Sequence, residues 1–314
     1  MTFSFLIAVA VLVGLLLFVI QQVRRPVRTH RGSLWQKRVR VGLASLLLFG
    51  ALLVFYGFFV EPNRLVVRHQ TIQIQQWPRH LDGLRIAVLA DIHAGGSFID
   101  EGKLRKIVER TNQLQPEMVV ILGDFIAGDG RRHPLLMEPE VFAPILKDFN
   151  APLGIYSVLG NHDWWADGVR VRRVLEQNGI KVLENEVSSI EARGAPLWLV
   201  GFADLWTRPQ RVEETLEQVP AGAPLLALTH NPDIFVRLPL NVPLLLAGHT
   251  HGGQVIFPFI GSVVQSSRLG DRYERGHIFE NGHHLFVTTG IGTSIMPVRF
   301  GVPPEIVLLT VKSQ

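Results

Sequence analysis

The chain contains no cysteine among its 314 residues. Disulfides, thiolate-bound zinc and cysteine nucleophiles are excluded at once, while the compartment stays open. Carboxylates are absent from residues 21–40, which hold Arg24, Arg25, Arg28, Arg31, Lys37, Arg38 and Arg40. With a net charge of +4 for the whole chain, the remainder carries −3. A basic nucleic-acid-binding face on the folded part therefore has no support, and no nucleic-acid partner is expected. Charge of either sign is absent from 3–20 and from 41–60. About 20 apolar residues cover the hydrocarbon core of a bilayer. No basic residue precedes 3–20 and no small-residue cleavage pattern follows it, which disfavours a cleaved signal.

Residues 1–60 thus read as a membrane anchor. Two transmembrane helices, about 3–20 and 41–60, are joined by a basic loop, 21–40. Short positively charged loops stay in the cytoplasm. Arg64 and Arg68 oppose that bias, two charges against seven. The expectation is a two-pass protein of the inner (plasma) membrane with a periplasmic or otherwise extracytoplasmic C-terminal domain. The lipid bilayer is then a partner.

Residues 61–80 read as a connector. Val66-Val67 and Ile72-Gln73-Ile74 alternate like an edge strand, which Trp77-Pro78 breaks. From residue 84 the pattern is strand, loop, helix, repeated. Strands are predicted at 84–90, 118–122, 155–159, 180–183, 187–192, 197–202, 225–229, 244–247, 255–257, 285–289 and 306–311. Helices are predicted at 102–114 with Asp100 as cap, at 135–149 interrupted near Pro139 and Pro144, at 168–178, and at 211–218. Residues 81–314 form one α/β domain, a four-layer α-β-β-α sandwich of two mixed β-sheets flanked by helices.

Five short stretches share one layout, an apolar run that ends in metal-ligand residue types. They are Asp91-Ile92-His93, Gly123-Asp124, Gly160-Asn161-His162-Asp163, His230-Asn231 and Gly248-His249-Thr250-His251. In open α/β sheets ligands gather beyond the carboxyl ends of strands. In an extended segment residues i and i+2 point the same way, so His249 and His251 are expected to aim both rings at one centre. Two carboxylates, one amide oxygen and four imidazoles, with His162 left over, exceed the needs of one four-coordinate ion. They suit two ions sharing a carboxylate. Such a pair holds and acidifies a bridging water and neutralises charge developing on a phosphoryl group. Oxygen and nitrogen ligands suit Mn, Fe, Zn or Co.

In this order and spacing the five stretches resemble the motifs of the calcineurin-like metallophosphoesterases, over about residues 80–314. Leu81-Asp82-Gly83-Leu84-Arg85-Ile86, Gly290-Ile291-Gly292-Thr293 and the segment from Pro297 to Glu305 resemble a membrane-anchored bacterial branch. That branch includes UDP-diacylglucosamine hydrolase-like enzymes and general phosphodiesterases. The resemblance implies that Asp91, His93 and His251 hold one metal, that Asn161, His230 and His249 hold the other, and that Asp124 bridges. It implies two divalent ions, Mn foremost. His162 would protonate the leaving oxygen, and Asp163 would orient it or raise its pKa. Ala127 stands where many relatives carry a second acid, so altered surroundings of the metals are expected.

The substrate implied is a phosphoester, amphiphilic if the site sits beside lipid. A UDP-linked lipid of lipid A synthesis follows from the resemblance, but such a substrate is made in the cytoplasm, whereas the charge bias places the domain outside. A catalytically inactive membrane scaffold is the other alternative; it would lack a ligand or the histidine acid, and none is missing here. Trp164 and Trp165 could line an acyl or base pocket or lie at the membrane interface. Arg131-Arg132-His133 could meet an anion or be a plain loop. His30, His69, His80, His133, His277, His283 and His284 match no ligand spacing and are expected to be solvated. The glycines at 290–292 read as a structural turn near the site.

Overall fold

Strand β2 (Leu84–Leu89) shows how the layers arise. Ile86 and Val88 face one way, into a core shared with the second sheet. Ala87 and Leu89 face the other way, into a core closed by helices. This period-of-two alternation buries both faces of one strand. The computed structural model describes residues 3–24, 32–128, 136–239, 241–263 and 267–314.

The first sheet contains β1 (Val66–Ile74), β2, β3 (Met118–Leu122), β4 (Ile155–Val158), β5 (Ile180–Val182) and β14 (Glu305–Ser313). Its order is β1-β14-β2-β3-β4-β5. The second contains β6 (Glu186–Ala192), β7 (Ala195–Gly201), β8 (Leu225–Leu228), β9 (Leu244–Ala247), β12 (Gly276–Glu280) and β13 (His283–Val287), in the order β12-β13-β9-β8-β7-β6. Strands β2 to β5 run parallel, as do β7, β8, β9 and β13. Within these two sheets, antiparallel pairing occurs at the flanks of the parallel runs, where β14 meets β2, β12 meets β13 and β6 meets β7.

Helices α3 (Glu101–Gln113), α4 (Pro139–Leu146) and α6 (Gly168–Gln177) cover the outer face of the first sheet. Asp100 caps α3, accepting the Lys103 backbone N–H at 2.7 Å, and Asp167 caps α6 in the same way at 3.0 Å. A short helix, α7 (Val212–Leu216), and the segment Pro232–Arg237 cover the second sheet. Helix, sheet, sheet and helix make the four expected layers. Several elements differ from expectation, the unexpected strand β12 among them. Asn161–Ala166 forms a short helix, α5, on the third motif. Pro139 opens α4, where its missing N–H costs nothing.

The anchor is corrected in two respects. Helix α1 (Phe3–Arg24) packs along α2 (Gly32–Phe55), so Lys37, Arg38 and Arg40 are helical and the loop is shorter than 21–40. Arg25, Arg28, His30 and Arg31 lie outside the described residues. Among the described residues one helix, Trp35–Asn63, is long and apolar enough to cross a membrane, and Val9–Gln21 within α1 is a shorter apolar stretch. By length and composition that helix fits an anchor or a signal sequence.

Residues 61–80 are more than a connector. They carry β1, which pairs in parallel with β14 over its full length. The end of the apolar helix is a π-helical turn, Tyr56–Val60, joined directly to the domain. The Arg299 N–H donates to the Gly57 carbonyl at 3.0 Å, and the Gly301 N–H donates to Glu61 at 2.9 Å.

Candidate active site

The seven expected ligands sit where the parallel strands end. Asp91 and His93 follow β2, Asp124 follows β3, and Asn161 follows β4. His230 follows β8, while His249 and His251 follow β9. The backbone there is unusual. Asp91, His93, Asp124, His249 and His251 all have φ between 48° and 71°. Non-glycine residues rarely enter this left-handed region, although Asp, Asn and His do so most readily.

That conformation overturns the expected geometry of the last motif. His249 and His251 are not in an extended segment, and their rings do not share one centre. His251 joins Asp91 and His93, whereas His249 joins Asp124 and His230. Asp124 also groups with His93 and His162, so it touches both sets. Its Oδ2 lies 3.7 Å from His93 Nε2 and 3.4 Å from His230 Nε2. Its Oδ1 accepts the His162 backbone N–H at 2.9 Å. Asn161 Oδ1 lies 3.2 Å from His230 Nε2. Asp91 accepts the His249 backbone N–H with both oxygens.

Hydrogen bonds set the imidazole tautomers. A carbonyl oxygen can only accept, so a ring nitrogen facing one carries the proton. His93 Nδ1–H donates to Ile126 O at 3.0 Å and His230 Nδ1–H donates to Leu122 O at 2.7 Å. In the neutral form of either ring the proton then sits on Nδ1, and Nε2 faces inward for ligation. His93 Nε2 stands 3.2 Å from His251 Nε2. Burial pulls His93 down to about 3 and holds His251 well below the usual range, so both rings are neutral. Carboxylate oxygens and imidazole nitrogens converge in these groups, with Asp124 in two of them, a donor set that fits divalent metal. Burial also disfavours charge on His230, but Asp124, Asp91 and Asp204 outweigh it and push that ring up to about 10. Burial pushes Asp91 up to about 7, against His230. Burial opposes ionisation of Asp124 too, yet His230 and His162 hold its carboxyl well below the usual range. Without metal, the site draws a proton to the place of a cation.

His162 packs edge-on against His93, 4.8 Å between ring centroids. Its Nδ1–H donates to Gly128 O at 2.8 Å. Its Nε2 lies 3.4 Å from Ser294 Oγ, beside a cavity of about 200 Å³. The expected role of Asp163 is corrected: it does not meet the His162 ring. Its carboxylate is buried and accepts the N–H groups of Asp124, Phe125, Ile126 and Gly160 at 2.9–3.2 Å. Burial and then Asp124 push this carboxyl up to about 8, while the backbone donors oppose them. The side chain tethers the β3 loop that carries Asp124. Gly160 completes the junction, because a Cβ there would overlap Asp124 Oδ1.

The cavity walls include residues that the motifs do not mark. Trp165 lies tilted 4.9 Å from the His162 ring, and Trp206 meets His249 edge-on at 4.3 Å. Trp206 follows β7 with no sequence signal. Trp164 turns away, donating to Glu184 and lying under Arg208. Arg299 is fully buried and donates to the carbonyls of Thr289, Gly292 and Val302. Only its segment, not its role, was legible. Gly290 and Gly292 turn the chain tightly against Asp91. Ala127 is buried in the β3 loop.

His283 and His284 are buried rather than solvated, and His284 Nδ1 lies 2.8 Å from His277 Nε2. That pair lines a larger groove, about 940 Å³, at the amino ends of β8 and β13 and away from every motif. Arg131, Arg132 and His133 lie outside the described residues.

Residues 84–253 match the family described as calcineurin-like phosphoesterase. The chain is 29% identical over 282 residues to the uncharacterized metallophosphoesterase YkuE of Bacillus subtilis (strain 168), covering 87% of this chain and 96% of that one. It is 27% identical over 261 residues to the phosphodiesterase YaeI of Escherichia coli (strain K12), covering 81% and 91%. A transmembrane protein with metallophosphoesterase domain from Danio rerio is 30% identical over 281 residues, covering 85% and 62%.

Proposed function

From a chain that belongs to the calcineurin-like phosphoesterases, and is therefore a metal-dependent phosphoester hydrolase, we propose a membrane-anchored phosphodiesterase with two divalent cations and an amphiphilic substrate. Asp91, His93 and His251 would hold one cation, and Asn161, His230 and His249 the other, with Asp124 between them. The observation that carries this reading is the position of Asp124 Oδ2 between His93 and His230, which belong to separate ligand groups. Two cations there would supply positive charge to the phosphoryl oxygens and an activated water. Mn, Fe, Zn and Co all suit these ligands, with Mn the first choice.

The chain's own residues do the rest. His162 is kept in one tautomer by Gly128, which leaves Nε2 facing the cavity. Protonated there, it donates to the leaving oxygen. Asp163 and Gly160 keep Asp124 in place. Trp165 and Trp206 exclude water from one side of the cavity and offer aromatic faces to an apolar group.

The apolar helix supports anchoring, the basic residues before it support an extracytoplasmic domain, and together they favour a lipid-linked phosphate as substrate. Purified full-length protein with Mn should hydrolyse bis(nitrophenyl) phosphate, and a lipid extract incubated with wild type should lose a phosphodiester that an Asp124→Asn control leaves intact. An inert wild type on every phosphodiester offered would end this reading. A reporter fused after Gln314 tests the side of the membrane.

A further inference from the structure

Two bulky apolar residues stand fully out of the domain on left-handed backbone. Phe259 (φ 68°, 108% exposed) forms the tip of the hairpin β10 (Ile256–Phe257) to β11 (Gly261–Ser262), next to Ile260 (77% exposed). Ile295 (φ 62°, 93% exposed) forms, with Met296, one lip of the cavity. A β-branched or aromatic residue in this region is a genuine outlier that its surroundings must impose. For Ile295 the means is visible. Buried Gln254 donates to the carbonyls of Ser294 and Met296 at 3.0 and 3.1 Å and accepts the Ser294 N–H at 2.9 Å. The loop is held with its apolar side chain outward.

Both features adjoin the end of the apolar helix. The Ile256 N–H donates to Phe300 O at 2.8 Å, and the Phe300 N–H donates to Gln254 O at 3.0 Å. Phe300 packs between Phe257, at 5.0 Å, and Tyr56, at 6.1 Å. Gly57 lies against Val298 and Arg299. One segment, Met296–Phe300, thus ties the cavity lip, the hairpin and the last turn of the helix together. If the uncharged run 41–60 crosses the hydrocarbon core, about 30 Å at 1.5 Å per residue, Val60 reaches its far boundary and Tyr56 lies about 6 Å inside it. The hairpin beside Tyr56 lies at that depth too.

We propose that the β10–β11 tip and the Ile295–Met296 lip enter the lipid leaflet from which this helix emerges, so that the cavity opens onto the membrane and receives its substrate from it. The occupant of the exposed apolar surface is the bilayer, because the segment that carries that surface is packed on the end of a membrane-length helix. The inference rests on the anchor reading above.

The absence of cysteine makes the test clean. Leu46→Cys, Phe259→Cys, Ile295→Cys and Asn281→Cys each introduce a single thiol in the full chain. Each is labelled with an environment-sensitive fluorophore and placed in phosphatidylcholine–phosphatidylglycerol vesicles containing nitroxide-labelled acyl chains. Labels at 259 and 295 should be quenched by the lipid nitroxide to the level seen at 46 and shielded from aqueous iodide. The label at 281, in the β12–β13 turn, should behave oppositely. Quenching at 46 with iodide access at both 259 and 295 overturns the proposal and leaves the anchor standing. Iodide access at 46 as well overturns both. Shielding at 259 and 295 without nitroxide quenching means burial against protein, such as a second copy, and also overturns it.

Discussion

The carboxylate of Asp163 accepts the backbone N–H of Asp124 at 2.9 Å, although 38 residues separate them in sequence. Three more N–H groups converge on the same two oxygens. Asp163, adjacent in sequence to the proposed general acid, is therefore a positioning residue for Asp124.

Replacing Asp163 tests that role. In Asp163→Asn one acceptor oxygen becomes a donor facing N–H groups that have no other partner. Unsatisfied buried groups of this kind cost about 1–3 kcal/mol each, so denaturant unfolding should show a loss of about 2–4 kcal/mol. Metal affinity should fall roughly 10- to 100-fold. A variant of unchanged stability and metal affinity, with a shifted pH–rate profile, would return Asp163 to a role on His162.

The His162 ring is expected to act on the leaving oxygen and on nothing else. His162→Ala should lower kcat by about 100- to 10,000-fold while metal content by elemental analysis stays the same. The loss should be larger for an alkyl leaving group than for nitrophenolate, which departs without a proton. Equal losses for both leaving groups would point to a role in metal or phosphate binding instead.

Metal binding should release protons in a pH-dependent way. His230, pushed up to about 10 without metal, is charged at neutral pH and must become neutral to ligate. Affinity therefore rises with pH, about tenfold per unit for each proton released, and levels off above the raised value. Asp91, pushed up to about 7, adds a second proton only below that pH. Calorimetric titration with Mn in buffers of differing ionisation enthalpy should count more protons at roughly pH 6 than at roughly pH 8. Equal counts would contradict this.

Gly160 offers a purely steric test. In Gly160→Ala the added methyl would overlap Asp124 Oδ1, and the next atom in its way, the Asp124 backbone nitrogen, cannot yield. Overpacking of this kind costs about 1–3 kcal/mol, and metal content should drop in the soluble, folded fraction. Full metal occupancy in that variant would mean that Asp124 does not need its observed position.

Much of this site is legible in the sequence, and some of it only on the wrong grounds. The strand before Asp124 and the strand before His249 are short apolar runs that end in glycine and a ligand-type residue, a signal that survives without coordinates. The direction of the side chains is not. His249 and His251 look like one alternating pair, yet left-handed backbone at both sends their rings to separate groups. Asp163 looks like a partner of His162 because they are neighbours, yet successive residues of a helix point in different directions. The strand β1 was visible as alternation, but its partner is nearly the whole chain away at β14. Trp206 and Ile295 lie in loops without periodicity, so nothing local marks them.

What the sequence alone determined is the inventory: donor atoms suited to two cations, their order, the strands that deliver them, and an uncharged run of membrane length. Those follow from residue chemistry and hydrophobic spacing, which are local. The tertiary structure decided which donors share a centre, which acid is held for its geometry instead of its proton, and how the helix end, the hairpin and the cavity lip come to adjoin. These depend on backbone angles at strand ends, and packing such as that of Gly160 against Asp124 imposes those angles from segments far away in the chain.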